Sequence, residues 1–190
     1  MKIQIKNNQF IYVNPNYYKE LDLNKLDYSN IKNKNELYRF LNVMKREHQS
    51  RIIISNKLKD ISIKNISFTE YQYDNIDAFA TSAVTYMFNE KCDEDILLEF
   101  KYRSDVSSSH YDSVTIDNNK YDLLKRVSNQ IKKRIMVCYL FKDGNVRVLD
   151  LFKCEPDLVL KNKTVKKNRF SDEYKVVDLY CFNNDRTILI

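Results

Sequence analysis

The sequence contains a single glycine in 190 residues, and this scarcity excludes two common kinds of catalytic site. A glycine-rich loop that wraps around phosphates cannot be built with one glycine. The serines lie in polar stretches without the Gly-x-Ser-x-Gly motif that serine hydrolases use to present their nucleophile. Nucleotide-binding loops of this kind and serine-hydrolase chemistry are therefore both excluded.

Cysteine is also sparse, and no Cys-x-x-Cys spacing links the four residues Cys92, Cys138, Cys154 and Cys181. Zinc sites and disulfide frameworks need closer or patterned spacing, so we expect neither. Cys138 and Cys181 fall inside predicted strands, where a free cysteine packs as a small apolar residue. No apolar run approaches membrane length, and Met1–Lys6 is too polar for a signal peptide. We therefore expect a reduced, cytoplasmic protein that does not enter membranes.

Proline occurs only twice, whereas Asn, Lys, Ile and Tyr are abundant. This bias is typical of an AT-rich genome and favours a low-GC bacterium, or a phage that infects one, as the source. The net charge of +6 and the pI near 9.0 fit a polyanionic partner, and equally a soluble protein that is simply basic.

The length fits one domain in which helices pack on a sheet. We assign residues 1–190 to that domain. Within it, residues 1–34 form an N-terminal hairpin and loop, residues 35–152 the core, and residues 153–190 a C-terminal extension.

The stretch 95–103 carries the pattern on which the functional interpretation depends. A two-residue period, typical of a strand with one buried face, relates Ile96, Leu98, Phe100 and Tyr102. The opposite face carries Asp95, Leu97, Glu99, Lys101 and Arg103. Charged runs are usually solvated, so an outer face with ion pairs between alternate residues is one explanation.

The preceding segment suggests a second explanation. Residues 73–88 predict a long strand, and residues 89–94 predict a hairpin turn after it. Pairing of the two strands would place Asp77 near the level of Glu99 and Lys101. Two carboxylates and a lysine that meet at one spot form a divalent-metal site with a base beside it.

This arrangement resembles the PD-(D/E)XK nuclease superfamily, which has the restriction-endonuclease-like fold. Asp77 matches the first acid of the motif, and Glu99-Phe100-Lys101 matches its Glu-x-Lys. The proline that usually precedes the first acid is replaced by Ile76. The order of strand, hairpin, crossover helix and two further strands also matches. The resemblance implies an α/β fold with a central mixed β-sheet flanked by helices.

The resemblance also implies a nuclease that depends on Mg²⁺ or Mn²⁺, an endonuclease acting on DNA in phage or bacterial DNA processing. Asp77 and Glu99 would bind the metal, with the carbonyl of Phe100 as a third ligand. Lys101 would orient or deprotonate the attacking water, or stabilise the developing charge. The alternative is a catalytically inactive protein with the same fold that binds nucleic acid or forms a virion or complex interface. A third interpretation is a structural α+β domain with chance charges.

A helix over about residues 35–58 is predicted by apolar residues at i, i+3, i+4 and i+7 from Leu37, with Asn35 as a candidate N-cap. Residues 52–58 either continue this helix or form a second one. Nucleases of the superfamily often carry a metal-directed glutamate on this helix, and Glu47 is the candidate. Glu36 is the other, although an acid at a helix start also suits the helix dipole.

The remaining elements follow from periodicity and turn signals. Asp143-Gly144 is a hairpin signal, because glycine adopts the backbone angles of a tight turn. Residues 161–169 are either a solvated loop or a basic arm along a nucleic-acid backbone. The other predicted elements are a hairpin within residues 2–13, strands over 61–68, 134–141, 145–151 and 174–182, and an amphipathic helix over 118–133.

Nucleic-acid contacts are expected from basic residues and one histidine near the predicted site and along the second helix. Lys120 lies at the start of that helix, where amide groups also attract phosphate. The partner is nucleic acid, most simply DNA; duplex, single-stranded, branched and RNA substrates all stay open, as does a homodimer. The candidates are Arg103, His110, Lys120, Lys125, Lys166 and Lys167.

Overall fold

The computed structural model describes residues 3–6, 9–12, 26–69, 76–82, 85–87, 90–92, 95–103, 105–166 and 172–190. The helices are α1 (Lys34–Asp60) and α2 (Asn118–Ile131). The strands are β1 (Ile3–Lys6), β2 (Gln9–Tyr12), β3 (Ile63–Phe68), β4 (Ala78–Ser82), β5 (Thr85–Met87), β6 (Glu90–Cys92), β7 (Ile96–Arg103), β8 (Ser113–Asp117), β9 (Arg134–Phe141), β10 (Val146–Asp150), β11 (Leu158–Lys166), β12 (Tyr174–Asn183) and β13 (Thr187–Leu189).

A six-stranded sheet with the order β13-β10-β9-β7-β4-β3 forms the centre of the described structure. β7 and β9 are parallel, and the other neighbours are antiparallel. The crossover from β7 to β9 passes through β8 and α2, since parallel neighbours need a long connection. The prediction of an α/β fold with a mixed sheet and two helices is thus confirmed.

Both faces of this sheet are covered, each by its own apolar cluster. On one face, Ile54 and Leu58 of α1 pack with Ile96 and Leu98 of β7. On the other face, Leu97 packs with residues of α2, β8 and β12. The explanation of the charged face of β7 as a solvated outer face is therefore wrong for the first half of the strand: Leu97 is 1% exposed and Glu99 is 3% exposed. Two-residue alternation describes one face only, and it could not reveal that a second layer covers the other.

The first helix is continuous and begins slightly earlier than predicted. Asn33, not Asn35, is the N-cap, and its side chain accepts a hydrogen bond from the Glu36 amide at 2.9 Å. An N-cap residue must have extended backbone angles, which Asn33 has and a residue inside the helix lacks. The alternative of a second helix over residues 52–58 is excluded.

The described part of the predicted strand over residues 73–88 contains two strands that belong to different sheets. β4 covers Ala78–Ser82, and residues 73–75, 83–84 and 88 lie outside the described residues. β5 pairs with β6, with Thr85 opposite Cys92, so part of the predicted turn over 89–94 is a strand. Polar composition favoured a turn there, but cross-strand pairing in a short hairpin decides the conformation.

The basic segment predicted as a loop or an arm is largely a strand. β11 ends at Lys166 and pairs along its length with β12, while Lys167 lies outside the described residues. β12 also pairs with β8, which completes a three-stranded sheet, and β13 extends the central sheet beside β10. Periodicity did not predict β8 or β13.

Several smaller predictions are confirmed. β1 and β2 form the N-terminal hairpin, and Gly144 takes a positive φ of 81° in the turn between β9 and β10. Cys138 and Cys181 are buried without a disulfide. Neither described helix has an apolar stretch long enough to cross a lipid bilayer.

Candidate active site

Asp77 and Glu99 lie at the same end of the ladder between β4 and β7. Asp77 directly precedes Ala78, which pairs with Leu98, and Glu99 directly follows Leu98. The ladder thus brings the backbones of the two acids to the same level, where β4 begins. The Asp77 amide donates a hydrogen bond of 2.9 Å to the Leu98 carbonyl, and its side chain contacts α1, whereas the Glu99 side chain contacts α2.

Asp77 is fixed by one cation and one amide. Its Oδ1 lies 2.6 Å from Nη2 of Arg51 on α1, and its Oδ2 accepts a hydrogen bond of 2.7 Å from the Phe100 amide. Burial alone would raise the pKa of this carboxyl, but Arg51, the amide, Lys101 and Lys120 together outweigh it and lower the pKa. The carboxylate is therefore held ionised.

Glu99 bridges two lysines from different elements. Its Oε1 lies 2.5 Å from Nζ of Lys101, two residues further along β7. Its Oε2 lies 3.0 Å from Nζ of Lys120 in the first turn of α2. The Glu99 side chain is 5% exposed, whereas Lys101 and Lys120 are 27% and 23% exposed. The carboxylate is thus nearly buried, and the two ammonium groups lie at the border with solvent.

The cluster contains two carboxylates and three cations. Arg51, Asp77, Glu99, Lys101 and Lys120 come from four separate segments of the chain, which the sheet and its two helices bring together. Burial and the negative charges of the two acids raise the pKa of the nearby Cys138 thiol, which keeps this neighbour protonated and neutral. The ammonium groups of Lys101 and Lys120 at the border with solvent suit a ligand that brings negative charge, such as a phosphate.

The structure separates the two candidate glutamates of α1. Glu47 lies four residues before Arg51, and residues at this spacing are neighbours on one helix face. Glu36 lies fifteen residues before Arg51, or about 22 Å along the helix. Its Oε2 accepts a hydrogen bond of 2.8 Å from the Lys32 amide, so Glu36 serves the helix start and is too distant to join the cluster.

The backbone of Phe100 faces Asp77. Its amide donates to Asp77, and the amide and carbonyl of one residue in an extended strand point to the same side. The Phe100 carbonyl is thus directed towards the region where β4 begins. The oxygen donors of this region are the Asp77 carboxylate and this carbonyl, with the Glu99 carboxylate on the preceding residue and Glu47 on α1.

These oxygen donors fit a hard divalent cation, because Mg²⁺ binds through few carboxylates and carbonyls and retains several waters. No group of three or more His, Cys, Asp or Glu side chains suited to a metal is found among the described residues. A magnesium site with two carboxylates does not require such a group. Arg51 is the competitor, since its guanidinium contacts the Asp77 carboxylate that a cation would use.

The predicted nucleic-acid residues are scattered relative to this cluster. Lys120 belongs to it. Arg103 binds the carbonyl and hydroxyl of Thr115 at 3.2 Å, so it fastens β7 to β8. Lys125 contacts Glu155 at 2.9 Å on another side of α2.

The other three candidates are remote or outside the described residues. His110 is exposed in a single turn of 3-10 helix beside the β9–β10 hairpin. That hairpin adjoins the end of β7 at Arg103, about 13 Å along the strand from Glu99. Lys166 ends β11, 3.8 Å from Asp172, and Lys167 is not described.

Sequence reasoning missed Arg51 and the contact of Lys120 with Glu99. Arg51 sits inside a helix whose apolar pattern gave no reason to single it out, although its spacing from Glu47 was a usable signal. Lys120 was predicted to meet a phosphate at the start of α2, and its contact with Glu99 depends on how α2 packs against β7. Neither contact can be inferred from spacing within one element.

Comparison of this chain with protein-family models, with curated proteins and with solved structures returned no match.

Proposed function

We propose that the chain is a metal-dependent nuclease of the PD-(D/E)XK type, with a restriction-endonuclease-like arrangement of its central sheet. It hydrolyses phosphodiester bonds as an endonuclease on DNA, in phage or bacterial DNA processing. The observation that carries the proposal is that Asp77 and Glu99 lie at the same end of the β4–β7 ladder, where the Phe100 amide binds Asp77 and Lys101 lies 2.5 Å from Glu99.

Asp77, Glu99 and the Phe100 carbonyl would hold Mg²⁺ or Mn²⁺, with Glu47 nearby on α1. When bound, such an ion supplies an activated water and neutralises charge at the phosphorus. Arg51 must then give up part of its contact with Asp77, because a carboxylate oxygen cannot serve both partners fully. Its positive charge becomes available for the phosphate of the substrate.

The lysines contribute charge and proton chemistry. Lys101, at the border with solvent, would orient the attacking water or take its proton, while its contact with Glu99 fixes the direction of its amine. Lys120 would meet the phosphate from the start of α2, where the helix dipole also favours negative charge. Both lysines hold positive charge where negative charge develops in the reaction.

One observation favours the alternative of a non-catalytic protein with the same fold. Each carboxylate already has a cationic partner, at 2.6 Å for Asp77 and at 2.5 and 3.0 Å for Glu99. An ionic cluster of this composition can stabilise a domain that only binds nucleic acid or forms an interface. The ion-pair geometry is compatible with both functions, so cleavage itself must decide between them.

The test uses circular DNA, because only an endonuclease cuts a molecule without ends. Supercoiled plasmid and circular single-stranded DNA are incubated with the chain in Mg²⁺, in Mn²⁺ and in EDTA. The Asp77→Asn, Glu99→Gln double variant is the matched control, since it keeps side-chain size and removes both negative charges. We expect cleavage by the wild type with metal only. Absence of metal-dependent cleavage, or equal cleavage by the double variant, would contradict the proposal.

A further inference from the structure

Three exposed apolar side chains surround one junction between α1 and β12. Among the described residues, the most exposed large apolar side chains are Tyr38 at 70%, Val176 at 63% and Tyr174 at 61%. Tyr38 lies in the first turns of α1, and the other two lie at the start of β12. Apolar side chains exposed singly are ordinary, but a group of them at one place indicates a binding surface.

Two ion pairs bring these segments together. Arg39 contacts Asp172 at 3.0 Å, and Lys32 contacts Glu173 at 3.3 Å. Tyr38 directly precedes Arg39, and Tyr174 directly follows Glu173. We call the surface of Tyr38, Arg39, Tyr174, Val176 and Lys166 the aromatic junction. Lys166 belongs to it because it pairs with Tyr174 across the β11–β12 ladder.

The surroundings of the aromatic junction are basic. Residues 32–51 contain six Lys or Arg and two Glu, and β11 contains three lysines and no acid. Asp172 and Glu173, the two acids before Tyr174 in the chain, are paired with Arg39 and Lys32, and Asp172 also lies 3.8 Å from Lys166. Exposed aromatic rings within a positively charged surface are the combination that holds a phosphate backbone while bases stack on the rings.

Both sides of the aromatic junction lead to the candidate active site. Along α1, Arg39 lies twelve residues before Arg51, which is about 18 Å. Along β12, Lys175 contacts Asp117 at 2.5 Å, and Asp117 caps α2 three residues before Lys120. A nucleic-acid strand bound at the aromatic junction would therefore lie within a short distance of the two carboxylates.

We propose that the aromatic junction binds an unpaired stretch of nucleic acid, with bases stacked on Tyr38 and Tyr174 and phosphates held by Arg39 and Lys166. In a duplex the bases stack on each other and their faces are closed to protein rings, so exposed tyrosines of this kind serve unpaired bases. The inference rests on the proposed function for what happens to the strand, and it narrows the substrate to one with a single-stranded region.

The experiment measures binding without cleavage. In EDTA, fluorescence polarisation compares a labelled single-stranded DNA of ~12 nucleotides, the same sequence as RNA, and a blunt hairpin duplex. The variants are Tyr38→Ala and Tyr174→Ala, with Tyr38→Phe and Tyr174→Phe to restore the ring. Phe152→Ala is the matched control, because Phe152 is 49% exposed outside the junction. Circular dichroism and urea midpoints confirm that each variant is folded.

We expect the single strands to bind more tightly than the duplex, and each alanine variant to weaken single-strand binding by about tenfold. The phenylalanine variants and Phe152→Ala should stay within about twofold of the wild type, because stacking needs the ring and not the hydroxyl. The DNA and RNA arms identify which strand the junction prefers, since the 2′-hydroxyl distinguishes them.

Duplex binding as tight as single-strand binding, or unchanged binding by both alanine variants, would overturn the inference. A change of oligomeric state in those variants without loss of nucleic-acid binding would also overturn it, and would assign the junction to a protein interface. If the wild type cleaves circular DNA but its binding does not depend on the tyrosines, the inference about the aromatic junction is refuted and the proposed nuclease function stands. If binding depends on the tyrosines but no metal-dependent cleavage occurs, the inference about the aromatic junction is supported and the proposed nuclease function is refuted.

Discussion

Two of the ionic groups on the described part of the central sheet differ in burial and in the segments they join. Arg134 at the start of β9 contacts Asp150 at the end of β10 at 3.4 Å, with the two side chains 7% and 0% exposed. This contact joins two adjacent strands. The described side chains of the candidate active site are two acids and three cations, drawn from four segments and 5% to 27% exposed.

The difference fits a structural role for the first group and the proposed chemical role for the second. A pair this deeply buried on neighbouring strands is inaccessible to a ligand. Asp150 also accepts a hydrogen bond of 2.9 Å from the Phe152 amide, so it fastens the turn after β10. Convergence of several like charges at the border with solvent costs free energy, and proteins tolerate it mainly where a ligand is bound.

The largest expected effect is on stability, at the Arg134–Asp150 pair. Asp150→Asn should lower the free energy of unfolding by about 3–5 kcal/mol, because it removes the negative charge that contacts the buried Arg134 guanidinium. Asp77→Asn should cost only about 1–2 kcal/mol, since the Asp77 side chain is 20% exposed whereas that of Asp150 is fully buried. Urea denaturation of both variants measures the difference. A larger loss of stability in Asp77→Asn than in Asp150→Asn would contradict the structural role given to the Arg134–Asp150 pair.

The second prediction distinguishes the roles of the two lysines that contact Glu99. Lys101→Ala should reduce the single-turnover rate of DNA cleavage by ~10²-fold or more, while DNA binding stays nearly unchanged. Lys120→Ala should weaken DNA binding, with a smaller loss of rate at saturating enzyme. Rates and binding are measured on one substrate across a magnesium titration. Full activity of Lys101→Ala would refute its role in the reaction.

The third prediction concerns the competition between Arg51 and a metal ion for the Asp77 carboxylate. Arg51→Met should tighten Mn²⁺ binding, measured by calorimetry without DNA, on the order of tenfold, because it removes a positive charge from a metal ligand. Arg46→Met, an exposed position on the same helix, is the control and should have little effect. Weaker Mn²⁺ binding by Arg51→Met would mean that Arg51 organises the site and does not compete for it.

The smallest effect is a pH dependence of stability. The pKa of Asp77 is lower in the folded protein than its ordinary value of 3.8, so the folded state binds this proton less readily than the unfolded chain. The stabilisation is therefore complete above about pH 4–5 and is lost as the pH falls through the folded pKa. The difference between wild type and Asp77→Asn in urea midpoint should shrink below about pH 4. A difference that grows with acidity would contradict this sign.

The sequence predicted the sheet side of the site and not the helix side. Glu99 and Lys101 lie on β7 and Asp77 directly precedes β4, and the pairing of these strands, which was inferred from sequence, brings Asp77 and Glu99 to the same level. Arg51 reaches Asp77 because α1 packs across the sheet, and no local pattern encodes that packing. The same limit explains β8 and β13, which are short strands determined by the neighbours they pair with. It also explains Leu97, which is buried by a layer that forms only in the complete fold.

Mn²⁺ binding to the wild type and to four variants, measured by calorimetry without nucleic acid, tests the central claim most directly. The claim is that Asp77 and Glu99 together form one metal site. It predicts saturable binding by the wild type that is lost in Asp77→Asn and in Glu99→Gln, retained in Lys101→Ala, and retained in Glu36→Gln, whose carboxylate lies about 22 Å along α1 from Arg51. Unchanged binding in both Asp77→Asn and Glu99→Gln, or no saturable binding by the wild type, would contradict it.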